Sequence, residues 1–519
     1  MNDIPPLLVS LVGAGPGHPG LLTLRAVELL NQADLVIFDK LVPQALLQHA
    51  RVGARLVCVA ELNANHPADR QPVLEAMIDG ARAGQRVVRL KGGDPSIFGR
   101  GGEEAEALRR AGVACEIIPG VTAALGAAAF AGIPLTHRNY SSAVAFVTGH
   151  ENPEKPETSL DWAALAKFPG TLVIYMGMSR LDRIVEHLIQ LGKDPATPAA
   201  AVQWATLGDQ NTLTATLREL PETVRLSGMT APALVILGAV VELRERVQWF
   251  ESLPLHGQRI LITRPRQQGE DFARRIVGYG GVPYLLPTVE IRDPDDWRPV
   301  DRALRALAFY HWLVFTSSNG VRAFFERLLA IGLDLRAVGH LKFAAIGPKT
   351  AEALRRYHLE PDVVPPRFQS EDLAAALAHR LLPGERVLLA RADRGRDVLR
   401  ETLAGTHAVE QVAVYSQTDA LIDGAALLKH LRRGEVDFIT LTSTNIARVL
   451  LTMVDETTRG RIREGEIGLV SISPVTSEEI RRHDLPVAGE AVEATMDGVL
   501  DALVALARAK KAIASASED

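Results

Sequence analysis

LLVSLVGAGPGHPGLLTLRAVELLNQADLVIFD, at residues 7–39, is the stretch that decides the fold. An apolar run at 7–12 ends in a glycine-rich turn, apolar residues at helical spacing follow at 21–33, and LVIF at 35–38 ends at Asp39. The helical period predicts a helix, and the continuous apolar runs predict buried strands. A strand, a helix and a second strand in this order predict a parallel sheet covered by helices on both faces.

The same alternation of strands and helices continues to about residue 245. In the first block, apolar runs and helical patterns predict strands at 86–90 and 114–118 and helices at 101–111 and 121–131. In a second block, strands are predicted at 143–148, 171–176, 199–204 and 232–239. The first half is therefore expected to be α/β, with subdomains at about 1–138 and 139–245.

The second half contains an internal repeat. RILITRP (259–265) matches RVLLARA (386–392), LVFTSSN (313–319) matches ITLTSTN (439–445), and Pro348 and Pro474 lie at equivalent places in a third pair. The three matches keep one order and nearly one offset, 126 or 127 residues. They predict a duplicated α/β unit over 258–507, preceded by a linker at 246–257 and followed by a fraying, flexible tail at 508–519.

Composition excludes several classes of protein. Lys and Arg number 57 against 62 Asp and Glu, which argues against a general nucleic-acid binder. The chain has no apolar stretch of about 20 residues and no signal-peptide pattern at MNDIPPLL, so neither a membrane span nor export is expected. It has two cysteines, Cys58 and Cys115, and no CxxC, HExxH or GxxxxGK[ST] motif. We expect a cytoplasmic protein with reduced thiols and no metal site.

Glycine-rich loops are the first candidate binding elements. Gly15 to Gly20 fits G-x-G-x-x-G, with Asp39 about 20 residues on, which is the spacing of a dinucleotide site. Pro16 and Pro19 have no N–H for a pyrophosphate, so a tight turn without a ligand is the alternative. RLKGGDPSIFGRGGEE, at 89–104, exposes backbone at Gly92 and Gly93. In the same loop Asp94 is a candidate acceptor for a ligand hydroxyl or amine, and Arg89, Lys91 and Arg100 add positive charge.

A third segment, IIPGVTAALGAAAFAGIPLTHR at 117–138, opens a helix of small residues at Thr122. Small side chains let this helix approach either a ligand or the sheet.

These motifs, with LVIFDKLV (35–42), IPGVTAA (118–124) and PLTHR (134–138), together resemble the uroporphyrinogen-III C-methyltransferases of the tetrapyrrole methylase family. The resemblance covers about 7–244. It implies a two-domain tetrapyrrole methylase fold with S-adenosylmethionine bound between the domains and S-adenosylhomocysteine as product. The implied cofactor contacts are Pro16, Gly92, Gly93, Asp94, Ile97, Thr122, Ala123, Met176 and Ala205.

The resemblance also implies roles in catalysis. Asp39 matches the proton acceptor of the family, and its alternative role is a cap at the end of a strand. We expect Arg100 and Arg138 to pair with substrate carboxylates. Three positions depart from the family pattern: His18 replaces an Asp, Ala205 replaces a Gly, and Glu61 stands where an alignment through Asn65-His66 expects a Lys proton donor. An ionised carboxylate cannot replace an ammonium as an acid.

In the second half, ILITRP (260–265), VFTSSNGVRAFF (314–325), AAIGPKTAEAL (344–354) and VYSQT (414–418) resemble uroporphyrinogen-III synthase. The resemblance implies two flavodoxin-like α/β domains, about 258–289 plus 423–506 and about 296–416, and no cofactor. Tyr415 matches a tyrosine proposed to assist loss of the substrate hydroxyl; its alternative role is to plug the domain junction. Four further residues are candidates either for carboxylate binding or for helix capping: Ser317, Lys349, Ser443 and Thr476.

The combined expectation is a fused enzyme of tetrapyrrole synthesis. The second half would cyclise hydroxymethylbilane to uroporphyrinogen III, and the first half would methylate it twice to precorrin-2, for sirohaem or cobalamin. Two alternatives remain: an NAD-dependent dehydrogenase joined to a flavodoxin-like module, and a synthase whose methyltransferase half is impaired or only binds ligand. We expect a homodimer through the first half, and separate dehydrogenase and chelatase partners for later steps.

Overall fold

The computed structural model describes residues 8–62, 70–150, 159–286, 289–367, 369–394, 397–419, 431 and 435–516. The contacts between residues divide the chain into two units. The first unit comprises 1–260, 274–283 and 500–519, and the second comprises 261–273 and 284–499. Within the described residues, the strands form four five-stranded sheets, so the α/β class expected from the sequence is confirmed.

The first sheet is parallel throughout, as the sequence predicts. Its strands, in spatial order, are β3 (Arg55–Cys58), β2 (Leu35–Phe38), β4 (Val87–Lys91), β1 (Val9–Gly13) and β5 (Cys115–Ile118). Its helices are α1 (Leu24–Gln32), α2 (Gln44–Leu47), α3 (Val59–Leu62), α4 (Gln71–Arg82), α5 (Gly101–Arg110) and α6 (Ala123–Ala131). Because the strands are parallel, the loops after β1, β2, β4 and β5 meet at one edge of the sheet.

The second sheet is mixed, which the simple alternation of strands and helices does not predict. Its spatial order is β6 (Val144–Thr148), β7 (Thr171–Tyr175), β10 (Ala233–Leu237), β8 (Pro198–Gln203) and β9 (Asn211–Thr216). Only β6 and β7 are parallel. β10 runs antiparallel to both of its neighbours, and β8 and β9 are antiparallel because a short turn, not a crossover helix, joins them.

The helices of the second sheet are α7 (Trp162–Ala166), α8 (Leu181–Gln190), α9 (Leu220–Ser227) and α10 (Arg244–Val247). The small residues of α6 serve packing: its buried alanines form one apolar cluster with Val173, Ala200 and Ile236 of the second sheet. Residues 248–258, which include most of the predicted linker at 246–257, contain no helix or strand.

The third sheet, most of which belongs to the second unit, has the spatial order β12 (Val282–Leu285), β11 (Arg259–Ile262), β18 (Phe438–Leu441), β19 (Gly468–Ser471) and β20 (Gly489–Glu490). The fourth has the order β13 (Val289–Arg292), β17 (Ala408–Asp419), β16 (Arg386–Ala392), β14 (Trp312–Phe315) and β15 (Lys342–Ala345). β13 pairs antiparallel with residues 416–419 of β17, so the two stretches between the predicted synthase domains, which follow residue 289 and residue 416, lie side by side.

The helices of the second half are α11 (Arg266–Gly278), α12 (Arg298–Arg305), α13 (Ser318–Ala330), α14 (Pro348–Arg355), α15 (Ser370–Ala378), α16 (Val398–Ala404), α17 (Thr444–Met453), α18 (Glu456–Arg463), α19 (Pro474–Arg482) and α20 (Met496–Ala516). The tail prediction is wrong, because α20 continues through residues 508–516. Val499, Leu503 and Ala507 form its buried stripe, and the alanine and lysine residues that follow have high helix propensity.

Candidate functional site

A cavity of about 1190 Å³ lies in the first unit, where the loops of the first sheet face the second sheet. Of the twelve first-half residues given a catalytic, cofactor or substrate role, ten line it: Pro16, Asp39, Gly92, Gly93, Ile97, Arg100, Thr122, Ala123, Met176 and Ala205. The remaining two first-half candidates, Asp94 and Arg138, are not among its lining residues. A cavity of this size suits a small organic ligand together with part of a larger one.

Most glycines of the motifs allow the loops after β1, β4 and β5 to pack backbone against backbone. Gly15 and Gly93 exchange hydrogen bonds of 3.1 and 2.8 Å, both at positive φ. A Cβ on Gly13 would lie 2.5 Å from the Gly120 nitrogen, and one on Gly120 would lie 2.3 Å from the Gly93 oxygen. Gly92 differs, because a Cβ there would meet nothing within 4 Å, and this glycine lines the cavity. Gly92 is therefore the position at which backbone is left open to a ligand.

Asp94 ties these loops together. One carboxylate oxygen accepts a 2.7 Å hydrogen bond from the Ser96 N–H, and the other accepts a 3.0 Å bond from the Gly120 N–H. The carboxylate is buried, and both oxygens have backbone donors. Its observed role is thus to hold the loop after β4 against the turn after β5.

A buried ionic cluster forms one wall of the cavity. Arg89 and Lys91 on β4 have side chains only 2% and 3% exposed. Arg89 contacts Asp39 at 2.5 Å and Glu104 at 3.4 Å, and Lys91 contacts Glu104 at 2.8 Å. Arg89 and Lys91 thus bring the positive charge expected of this loop, and Asp39 and Glu104 balance it.

The cluster sets the protonation of its members. Burial by itself would raise the pKa of Asp39, but the charges of Arg89 and Lys91 and the hydrogen bonds from Arg89 and the Gly92 N–H outweigh it and lower that pKa. Burial, followed by the charge of Arg89, lowers the pKa of Lys91. Asp39 is thus an ionised carboxylate at the cavity wall.

Tyr175, which the sequence analysis missed, lines the cavity from the end of β7 in the second sheet. Its hydroxyl lies 2.7 Å from Thr122 Oγ1 and accepts a 3.0 Å hydrogen bond from the Ala124 N–H. Burial raises the pKa of Tyr175, so the phenol stays protonated. Met176 follows with φ 54°, a left-handed conformation that turns the chain along the cavity. In the sequence Tyr175 looks like the last apolar residue of a buried strand. Its hydroxyl is the one feature that could have identified it as a site residue.

The positions that depart from the family pattern have defined surroundings. His18 Nδ1 accepts a 3.0 Å hydrogen bond from the Gly20 N–H, and the backbone N–H of His18 donates to Thr206 Oγ1 at 3.1 Å. His18 thus caps the turn after β1, as an aspartate could. Glu61 is exposed on α3 and lies outside the cavity lining. Asn65 and His66, which anchored its alignment, lie outside the described residues.

The two predicted arginines of the first half have different surroundings. Arg100 is at the cavity but pairs with Glu103 at 2.6 Å, both exposed. Arg138 is exposed in the turn between His137 and Ser141.

In the second unit, Tyr415 on β17 is buried, and its hydroxyl lies 3.0 Å from Ser317 Oγ. Ser317 also caps α13 by accepting a 2.9 Å hydrogen bond from the Gly320 N–H. The hydroxyl of Tyr415 is therefore held at the carboxyl end of β14, directly before a helix begins. This is the edge at which open α/β sheets bind ligands.

The other candidates of the second half also begin helices that follow strands. Ser443 caps α17 through the Ile446 N–H at 3.2 Å. Thr476, in the first turn of α19, is buried and contacts Ser473 Oγ at 3.2 Å. Lys349 is exposed in the first turn of α14. The capping role is thus observed for Ser317 and Ser443, whereas for Thr476 it is the preceding Ser473 that caps.

The described residues contain no group of three potential metal ligands. None of the helices described here is long and apolar enough to cross a membrane. Cys58 and Cys115 are both free.

The sequence matches two family models. Residues 8–221 match the family described as tetrapyrrole (corrin/porphyrin) methylases, and residues 270–501 match uroporphyrinogen-III synthase HemD. The porphyrin biosynthesis protein HemD of Ruminiclostridium josui is 32% identical over 497 residues, covering 96% of this chain and 97% of that protein. The uroporphyrinogen-III C-methyltransferase of Bacillus subtilis is 34% identical, covering 69% of this chain and 73% of that protein.

A siroheme synthase of Chromobacterium violaceum is 48% identical over 242 residues. That match covers 47% of this chain and 51% of the relative, so it spans about half of each protein.

Proposed function

The chain belongs to the family of tetrapyrrole-biosynthesis proteins that join a tetrapyrrole methylase to a uroporphyrinogen-III synthase, and from this membership we propose that it catalyses two consecutive steps. The second half converts hydroxymethylbilane to uroporphyrinogen III. The first half transfers two methyl groups from S-adenosylmethionine to that product, giving precorrin-2 and S-adenosylhomocysteine. With this membership, the dehydrogenase alternative loses its basis.

The observation that carries the methyltransferase proposal is the cavity, in which the loops after β1, β2, β4 and β5 meet. Its lining offers what a sulfonium donor needs, namely apolar surface, open backbone at Gly92 and a carboxylate. Methyl transfer to a pyrrole carbon needs alignment of donor and acceptor and removal of one proton. We assign proton removal to Asp39, whose ionised carboxylate faces the cavity. We assign contacts with S-adenosylmethionine to the other cavity-lining residues that the resemblance implies as cofactor contacts.

We assign Arg100 to the binding of substrate carboxylates. In the structure its guanidinium pairs with Glu103, which a substrate carboxylate would replace. We propose that Arg138, which is exposed in the turn at 137–141, also binds a substrate carboxylate. In the second half, Tyr415 would assist departure of the hydroxyl, since its own hydroxyl is fixed by Ser317. Ser317, Ser443, Lys349 and Thr476 are proposed to contact substrate carboxylates around the carboxyl ends of the strands.

We propose bounds of 1–245 for the methyltransferase, 246–257 for the linker and 258–507 for the synthase. The synthase domains would hold about 258–289 plus 423–506 and about 296–416; residues 420–430 lie outside the described part. We further propose a cytoplasmic homodimer joined through the first half. Separate dehydrogenase and chelatase enzymes would then complete sirohaem or cobalamin precursors.

One assay tests both activities. Purified protein is incubated with hydroxymethylbilane and S-adenosylmethionine labelled in its methyl group, and the products are separated by chromatography. Dimethylated isomer III is the expected product. Isomer III without label would mean that the methyltransferase half is impaired, as Glu61 in place of a lysine would suggest. Absence of isomer III would overturn the synthase assignment.

A glycine pair provides a matched test of the cofactor site. A Cβ on either Gly92 or Gly102 would meet no atom within 4 Å, but only Gly92 lines the cavity. Gly92→Ala should therefore fold normally and bind S-adenosylmethionine at least about tenfold more weakly by calorimetry, because the new methyl group occupies the backbone approach. Gly102→Ala should bind like the wild type. Equal affinity in both variants would remove Gly92 from the site.

A further inference from the structure

The internal repeat places two arginines at equivalent points of two sheets. In the third sheet, four strands have the spatial order β12-β11-β18-β19, and in the fourth the order is β17-β16-β14-β15. The repeat matches β11 with β16, β18 with β14 and β19 with β15, so the two orders are the same. Arg264, which follows β11, therefore corresponds to Arg391 at the end of β16.

Arg391 has its charge compensated within the protein. Its side chain is 8% exposed, its Nη1 lies 3.3 Å from the Asp397 carboxylate, and its Nη2 donates a 3.0 Å hydrogen bond to the Arg394 carbonyl. A buried guanidinium with a carboxylate and a carbonyl as partners is satisfied without any ligand.

Arg264 has no such compensation. Its Nη2 donates to Oε1 of Gln268, a neutral side chain, and its Nε is buried without an acceptor. Among the residues that the structure describes, no carboxylate lies within ion-pair distance of it. Burial lowers the pKa of Arg264, although a guanidinium remains charged at neutral pH. A largely buried charge without a counter-charge is costly, so an anionic partner from outside the chain would stabilise it.

The position of Arg264 fits a ligand site. Thr263 Oγ1 donates a 2.7 Å hydrogen bond to the Thr440 carbonyl, which fixes the end of β11 against β18. β11 and β18 lie at the point where the strand order 2-1-3-4-5 changes direction, and open α/β sheets bind ligands there. Ser443 begins α17 just after β18.

We infer that Arg264 binds a carboxylate of the tetrapyrrole substrate in the synthase half, whereas its repeat counterpart Arg391 is purely structural. The inference rests on the proposed synthase function for the identity of the ligand. A guanidinium is well suited to this role because it presents parallel N–H donors that match the two oxygens of a carboxylate.

The test compares Arg264→Gln, Arg264→Lys and Arg391→Gln in the full-length chain. The KM and kcat for hydroxymethylbilane, the melting temperature, and the affinity for uroporphyrin I, an octacarboxylate probe read by fluorescence, are measured for each. For Arg264→Gln we expect a rise in KM of about tenfold or more, a kcat within about twofold, and weaker binding of uroporphyrin I, because a charge-assisted hydrogen bond is lost. Arg264→Lys should recover part of the affinity.

Stability should separate the two arginines in the opposite direction. Arg264→Gln removes an uncompensated charge and should leave the melting temperature unchanged or higher. Arg391→Gln breaks the ion pair with Asp397 and the hydrogen bond to the Arg394 carbonyl, so it should lower the melting temperature without changing KM. An unchanged KM and probe affinity in Arg264→Gln would overturn the inference. If the wild type does not cyclise hydroxymethylbilane but Arg264→Gln still loses uroporphyrin I binding, the synthase proposal fails while the carboxylate site stands.

Discussion

The hydroxyl groups of Thr122 and Tyr175 lie 2.7 Å apart, and this contact joins the two sheets of the first unit across the wall of the cavity. Thr122 precedes α6, which follows a strand of the first sheet, and Tyr175 ends β7 of the second sheet. The same tyrosine hydroxyl also accepts from the Ala124 N–H, an otherwise unpaired donor in the first turn of α6. A single side chain thus fixes both the start of a helix and the width of the site.

Replacing Tyr175 by Phe should therefore weaken the fold and the cofactor site together. The change leaves the Thr122 hydroxyl and the Ala124 N–H without this partner in a buried place, which should lower the free energy of unfolding by about 1–3 kcal/mol. Affinity for S-adenosylmethionine should fall as well. Urea denaturation and calorimetry provide the measurements, and Tyr140→Phe, which removes only a 3.2 Å contact with Arg246 near the surface, is the control. Identical behaviour of the two variants would show that the contact is unimportant.

Replacing Asp39 by Asn should abolish most methylation without emptying the cofactor site. Loss of a positioned base typically slows a reaction by about 10²–10⁴-fold. Binding of S-adenosylmethionine should fall far less than the rate, because asparagine has nearly the shape of aspartate and Glu104 still pairs with Arg89. Asp79→Asn, on the exposed face of α4, should methylate normally. The readout is transfer of labelled methyl groups to uroporphyrinogen III, and retention of more than about a tenth of the wild-type rate would argue against Asp39 as the base.

The pH dependence of methylation should reflect the depressed pKa of Asp39. Because Arg89 and Lys91 hold this pKa below the ordinary aspartate value of 3.8, the carboxylate stays ionised throughout the neutral range. The rate should therefore show no acidic limb from Asp39 above about pH 5. An acidic limb near pH 6 that disappears in Asp39→Asn would contradict the observed cluster.

The sequence was sufficient for the parts of the fold that depend on local patterns. Strands such as LVIF at 35–38 are apolar throughout, and their positions follow from this alone. β9 was missed because NTLTAT at 211–216 is largely polar and half-exposed at a sheet edge, where apolar content is not required. The tail was misjudged because its composition is polar, although the same residues favour helix once Leu503 and Ala507 are anchored.

The candidate site was predictable only where glycine motifs marked it. Gly13, Gly93 and Gly120 are needed for loop packing, and that requirement makes the cavity recognisable from sequence. The partners of charged residues were not predictable, because the pairing of Arg89 with Asp39 joins positions 50 residues apart. Likewise, nothing local distinguishes Arg264 from Arg391; the difference appears only when their surroundings are compared.

Replacing Tyr415 by Phe should slow ring closure and release isomer I in place of part of isomer III. The change removes the hydroxyl of Tyr415, whose oxygen lies 3.0 Å from Ser317 Oγ and is held in place by it. Tyr310→Phe is a matched control from the same half of the chain. It deletes a tyrosine hydroxyl that donates to Glu410 and not to Ser317. Chromatography of the two isomers after reaction with hydroxymethylbilane measures the ratio. A normal proportion of isomer III in Tyr415→Phe would leave this tyrosine with a packing role alone.

Glu385, which directly precedes β16, should make the stability of the second half sensitive to acid. Burial would raise its pKa, but hydrogen bonds from the Leu382 N–H, Lys342 Nζ and Trp312 Nε1, at 2.9, 3.0 and 2.9 Å, hold it at about 2. A carboxyl group whose pKa is lower in the folded state than its ordinary value of 4.5 stabilises the fold above that value. This contribution disappears as the pH falls from about 5 towards 2.

Glu385→Gln should consequently lower the free energy of unfolding at neutral pH by about 1–3 kcal/mol, because a neutral glutamine has one acceptor oxygen in place of a charged carboxylate with two. Because glutamine does not titrate, the variant should also lose less stability than the wild type as the pH falls. Hydrogen–deuterium exchange of peptides covering β16, followed as a function of pH, confines the measurement to this half of the chain. Glu352→Gln, on α14, breaks only an exposed pair with Arg356 just after this helix, and it should change exchange at β16 very little. If Glu385→Gln and the wild type lose protection in parallel as the pH falls, the acid sensitivity arises elsewhere, and the three hydrogen bonds to Glu385 do not control it.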